Sequence, residues 1–120
     1  MAALTDPERL QAYKNALSNW RFEGYVRFDL NQQAHDWIRR ELRNVPLKEL
    51  AQLMHEYVES GGTIDEIRET REEWSDKYEY HYDLRFLIRS QPVYIETRLI
   101  CRLPYVPDEP RIEVVNVHAP

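Results

Sequence analysis

The sequence predicts an α+β domain, with two to three helices packed on one face of a mainly antiparallel sheet of four or five strands. Three observations carry this. Apolar residues recur at helical spacing between Asn31 and Ser60, and they alternate with polar residues at a period of two between Tyr78 and Cys101. The chain has 120 residues, 42% hydrophobic and 31% charged, which fits a single domain over residues 1–120 with one core and excludes a disordered chain.

Taken in order, Thr5-Asp6-Pro7 signals a helix start, with Glu8 three residues after Thr5 as a capping box, and Leu10, Tyr13 and Leu17 follow at helical spacing. Residues 1–20 are expected to form a loosely attached N-terminal helix. From Arg21 the period becomes two, with Phe22, Val26, Phe28 and Leu30 on one side, which predicts a half-buried strand. Asn31 caps a second helix through Ala34, Trp37, Ile38 and Leu42. A third helix carries Leu47, Leu50, Ala51, Met54 and Val58 and ends at Gly61-Gly62, glycine being suited to a left-handed cap.

Residues 63–78 give mixed signals. Thr63 and Glu66 form a capping box, and Ile64, Ile67, Trp74 and Tyr78 fall at helix-like spacing, while Asp65/Glu69 and Glu69/Glu73 are like-charge pairs that oppose a helix. The local pattern leans to helix. A C-terminal hairpin is expected over about residues 78–101, with Tyr78, Tyr80, Tyr82, Leu84, Phe86 and Ile88 on the apolar side. If Ser90-Gln91 is the turn, Ile88 meets Val93, Phe86 meets Ile95, Arg85 meets Glu96, Asp83 meets Arg98, and His81 faces Ile100 without a polar partner. The loop RLPYVPDEP leads to a last strand, RIEVVNVH, whose valines on both sides suggest cover on both faces and a central place in the sheet.

Net charge is -5, and residues 61–120 hold most of the excess, with 8 Lys/Arg against 12 Asp/Glu. The acidic run Asp65 to Glu79 repels phosphate and weakens a simple nucleic-acid reading. Lone Cys101 cannot form an intrachain disulfide and reads as a small buried hydrophobe, so a reducing cytoplasm is expected. MAALTDPERL lacks the features of a signal peptide, and no apolar run is long enough to span a bilayer, so no membrane association is expected.

Candidate chemistry is narrow. His55-Glu56-Tyr57-Val58-Glu59 has only half of a zinc-binding H-E-x-x-H helix, and the three glycines cannot build a phosphate loop, so no metal or cofactor is expected. What remains is the polar side of the hairpin. His81, Arg85, Arg98 and His118 are the candidate catalytic residues, and Tyr94 and Arg71 the candidate substrate-binding residues. Histidine can move a proton near neutral pH, and arginine can stabilise a developing anionic centre, an inventory suited to cleaving RNA through its 2′-hydroxyl.

The order of two amphipathic helices followed by GGTIDEIRETREEW, YHYDLRFLI, PVYIETRL and RIEVVNVH resembles the compact ribonuclease-toxin fold of the RelE-type and colicin-D-like families, including the MqsR-like mRNA interferases. The resemblance spans about residues 25 to 118. It implies metal-independent RNA cleavage on the sheet face, an antitoxin as protein partner, and a strand near Ile64 to Arg71 where the local signals lean to helix. These toxins are usually basic, whereas this chain is acidic. An interaction module is the alternative: an inactive toxin relative or a homodimer, using the acidic stretch and the aromatics Tyr94 and Tyr105.

Overall fold

Backbone chemistry at the helix ends decides where the helices lie. In the computed structural model, which describes residues 2–101 and 110–120, α1 runs from Pro7 to Ser18, and its cap is Asp6, whose carboxylate accepts from the Arg9 N–H at 2.9 Å. Thr5 does not cap it. α2 (Gln32–Glu41) starts at Asn31, whose Oδ1 accepts from the Ala34 N–H at 2.8 Å. α3 (Leu47–Glu59) closes as the glycines predict: Gly61 takes φ +95°, its N–H bonds the Val58 carbonyl, and the Gly62 N–H bonds the Tyr57 carbonyl, a Schellman motif. α1 is no loose appendage, because Tyr13, Ala16 and Leu17 are fully buried.

The strands are β1 (Ala2–Ala3), β2 (Val26–Phe28), β3 (Asp65–Arg68), β4 (Tyr80–Ile88), β5 (Gln91–Cys101) and β6 (Pro110–His118), in the sheet order β1-β3-β4-β5-β6-β2. The α+β class is as expected. The sheet gains short edges at both sides, and β2 runs parallel to β6, so it is mixed though mostly antiparallel. The strand expected from Arg21 is shorter than its pattern, and Phe22 lies in the preceding turns, 64% exposed. α1, α2 and α3 cover one face, where Leu50, Met54 and Leu84 meet Ile95, Ile112 and Val114 in a single core. Expectations for the Cys101 side chain and for residues 102–109, including Tyr105, fall outside the described residues.

Segment 63–78 corrects the local reading. It forms β3 against Tyr80–Asp83 and then only a single helical turn, α4 (Glu72–Ser75). Ladder bonds to β4 outweigh a capping signal worth about 1 kcal/mol, and the like-charge pairs at i,i+4 had already weakened the helix. The apolar stripe is divided: Ile64 enters the core, while Trp74 and Tyr78 pack on the opposite face of the sheet.

The hairpin register also differs. Leu84 pairs with Ile95, Asp83 with Glu96 and Arg85 with Tyr94, two residues away from the expected pairing. The turn residues are Arg89 and Ser90, at φ 52° and 68°, the left-handed pair of a type I′ turn, whose twist matches the flanking strands. A shift of two leaves every side chain on its expected face, so the apolar pattern is satisfied equally by both registers. The ion pairs expected from Asp83 to Arg98 and from Arg85 to Glu96 as direct cross-strand neighbours do not form.

β6 is interior, but not because both its faces are covered. A bulge between Glu96 and Thr97 of β5 leaves Thr97 opposite Val114 and Glu96 opposite Asn116, so Val115 is the extra residue. Past it, Val117 returns to the core side, and Ile112, Val114 and Val117 are all fully buried on the same face.

Candidate functional site

The odd residues of β4 and even residues of β5 share the face opposite α1–α3, and the chain between β3 and β4 folds over part of it. This face holds buried charge. Asp83 and Arg98 are 0% exposed, and Glu69 and Glu96 are 6% exposed. Such burial is tolerated only when the charges are paired and hydrogen-bonded.

Arg98 is the centre. Its Nη1 donates to Glu69 Oε2 at 2.8 Å, its Nη2 lies 3.7 Å from Glu96 Oε2, and its guanidinium sits 4.5 Å from the Trp74 ring centroid and 5.0 Å from that of Tyr78. Arg71 completes the square. It donates from Nε and Nη2 to the two oxygens of Glu69, at 2.9 and 3.0 Å, and from Nη2 to Glu96. Arg71 and then Arg98 hold the Glu69 carboxyl well below the usual range, and Glu69 and Glu96 raise Arg71. The two arginines and two glutamates sum to no net charge.

Beside this square, Asp83 accepts from the Tyr94 hydroxyl on one oxygen and lies 2.8 Å from His81 Nδ1 on the other. His81 is therefore not unpartnered, as the expected register suggested. Its partner lies two residues along its own strand, on the same face. The contact with Asp83 raises the His81 pKa, and burial raises that of Asp83, with Glu96 opposite it adding to the effect.

A stacked row crosses the three central strands: Arg85 lies over the Tyr94 ring at 5.0 Å, and Tyr94 stacks on His118 with centroids 4.7 Å apart. Tyr94 is thus half-buried rather than an exposed aromatic. Arg85 also approaches Asp65, Nε to Oδ2, at 3.8 Å. All six candidates, His81, Arg85, Arg98, His118, Tyr94 and Arg71, lie on this side of the sheet. They do not converge on one atom. His118 pairs with Tyr94, Tyr94 with Arg85, and His81 lies four residues further along β4. Strand geometry then separates the two histidine Cα atoms by roughly 16 Å, too far to act on one phosphate.

Two clefts adjoin the C-terminal half of β6 and share Asn116, the first beside the segment that follows β3 and the second beside α2. One, of about 330 Å³, is lined by Asp29, Asn31, Arg71, Trp74, Glu96 and Arg98 among others; the second, of about 430 Å³, is lined by Gln33, Asp36, Trp37, Arg40 and His118. Among the described residues, no three His, Cys, Asp or Glu side chains are grouped to hold a metal ion, and no helix is long and apolar enough to cross a membrane.

Residues 69–78 are what the sequence reading missed: Glu69, Trp74 and Tyr78 belong to the site's cover. A signal was present. Glu96-Thr97-Arg98 puts a glutamate and an arginine on one side of a strand, and the carboxylate-rich, aromatic-bearing stretch just upstream was the natural source of partners. No family model, curated protein or solved structure matches the chain.

Proposed function

We propose that this domain binds single-stranded RNA along the groove beside β6, as a toxin-like, metal-independent ribonuclease or RNA-binding domain. One observation carries the reading: the two adjoining clefts interleave Trp74, Trp37 and His118 with Arg71 and Arg40 around the shared Asn116. Aromatic faces alternating with cations and amides suit unstacked bases and their backbone. β3 also stands where the ribonuclease-toxin resemblance requires a strand. His118, which lines the second cleft and stacks on Tyr94, is on this reading the group that moves a proton from a 2′-hydroxyl, while the Nδ1 of His81 is taken by Asp83.

The test is anisotropy with a labelled unstructured RNA at low salt, followed by product analysis. Binding is expected, weakened in His118→Ala and Trp37→Ala, and any scission persists in EDTA and stops on a 2′-deoxy substrate. Intact, unbound RNA sinks the reading.

A second reading has its own observation. β3 pairs only with Tyr80–Asp83, so among the described strands none pairs with Leu84–Ile88 on that side, and Leu87 there is 66% exposed. This edge suits strand addition by a protein partner, an antitoxin-like segment or a second copy. Light scattering that finds a monomer at high concentration, together with Leu87→Lys leaving partner recovery unchanged, would remove it.

A further inference from the structure

We infer that the cleft between α4 and β6 is a subsite for a neutral, acceptor-rich nucleobase of the guanine type, and not for a phosphate. The inference rests on the RNA reading and names what its first cleft holds. Lining a cleft with two arginines ordinarily suggests an anion. Here Arg71 and Arg98 already face Glu69 and Glu96, so the cleft offers directed N–H donors with little net positive charge. A phosphate would have to compete with two carboxylates held at hydrogen-bonding distance. A neutral ring would not.

The donors are also fixed in place. Arg98 is fully buried, clamped between Glu69 and the rings of Trp74 and Tyr78, and it anchors Glu69 and Glu96, the carboxylates that fix Arg71 in the cleft wall. Asn31 spends its Oδ1 on the Ala34 N–H, which leaves its amide as a donor, and Asn116 adds a second amide. Trp74, half-buried in the lining, provides an aromatic wall. A volume of about 330 Å³ lies at the small end of ligand pockets, which run from about 300 to 1,000 Å³.

Guanine fits this set. Its O6 and N7 are the acceptors that arginine and amide donors read, and its ring N–H and exocyclic amino group are donors that require a carboxylate. Asp29, exposed at the lip, is that carboxylate. Adenine presents an amino group where guanine presents O6, and so meets the donor-rich floor less well.

The full chain is titrated with guanosine, adenosine and guanosine 5′-monophosphate, following the indole NMR signal of Trp74 assigned by comparison with Trp74→Phe. Guanosine is expected to bind more tightly than adenosine, and the monophosphate within about twofold of guanosine between about 50 and 200 mM salt, since no uncompensated cation is engaged. Trp74→Ala should weaken guanosine by about 5- to 150-fold, the usual worth of base stacking, with Trp74→Phe retaining most of it. Asp29→Asn, at an exposed position, should lower guanosine affinity and leave adenosine unchanged. Absence of nucleoside binding, binding that requires the phosphate, or guanosine binding undiminished in Trp74→Ala overturns the inference. RNA binding by a chain that binds no guanosine overturns it while leaving the RNA reading intact, whereas guanosine binding without any RNA binding overturns the RNA reading alone.

Discussion

Both faces of the sheet bury residues, by opposite means. On the helix side, Leu84, Val93, Ile95, Ile112, Val114 and Val117 are removed from water by α1–α3, and the gain scales with apolar area without regard to direction. On the other side, Asp83 and Arg98 are equally dry, and each relies on named partners at hydrogen-bonding distance. The same burial therefore obeys two rules. Loss of an apolar contact leaves a cavity; loss of an ionic partner leaves a charge stranded beside its former neighbours.

That difference gives the largest expected effects. Arg98→Ala leaves two buried carboxylates, Glu69 and Glu96, to share Arg71 alone, and should cost about 3–5 kcal/mol. Leu84→Ala on the helix face should cost about 2–5 kcal/mol, a comparable sum reached through a cavity. Double variants separate the mechanisms. In a Glu69→Gln/Glu96→Gln background, Arg98→Ala should cost clearly less than it does alone, because the stranded charges are gone. Leu84→Ala should cost the same in either background, the two faces being independent. Urea unfolding of the six chains measures this, and strict additivity at Arg98 would break the comparison.

The helix face was legible in the sequence because periodicity reports burial by area. Asn31, Gly61 and the stripe through Leu50 and Met54 predicted α2 and α3 closely, and alternation assigned the residues of β4 and of β5 up to Ile100 to their correct faces. The polar face was legible only as an inventory. Its residue types and their side of the sheet followed from alternation, but their partners depend on register, on the bulge and on the path of residues 69–78, and none of these has a period. Register failed for a specific reason. Both pairings preserve the faces, and Arg89-Ser90 lacks the Asn-Gly signature by which a type I′ turn announces itself. The valines of β6 misled in a related way, since one bulge residue turns an apparent two-sided strand into a one-sided one.

The turn offers a smaller test of that account. Arg89 and Ser90 occupy left-handed backbone, which costs an ordinary residue about 1 kcal/mol or more. Replacing the pair by Asn-Gly should stabilise the hairpin by about 1 kcal/mol, offset in part by the lost bond from Arg89 to the Arg43 carbonyl, 2.7 Å in this structure. Thermal melts read the gain. Were the turn centred on Ser90-Gln91 as the sequence suggests, placing the pair at 89–90 would give no gain.

The smallest expected effect is a pH dependence that only the polar face can show. Asp83 lifts His81 above its ordinary 6.5, so the folded state holds that proton more tightly than the unfolded chain does. The resulting stabilisation is complete below 6.5 and is lost as pH rises through the folded value. Burial lifts Asp83 above 3.8, so its contribution likewise fades as pH rises past that value. Glu69 acts with the opposite sign. Held below 4.5 by Arg71 and Arg98, it stabilises the fold above that value, and the stabilisation declines as pH falls through its depressed folded value. Relative to His81→Ala, the native chain should therefore lose stability on going from pH 6 to pH 8. Relative to Glu69→Gln, it should lose stability on going from pH 5 to pH 3. An NMR titration of His81 supplies the direct check: its midpoint should lie above 6.5 and fall in Asp83→Asn. A midpoint at or below 6.5 in the native chain would mean that the carboxylate beside it is not holding the proton, and that this face is governed by desolvation, as the helix face is.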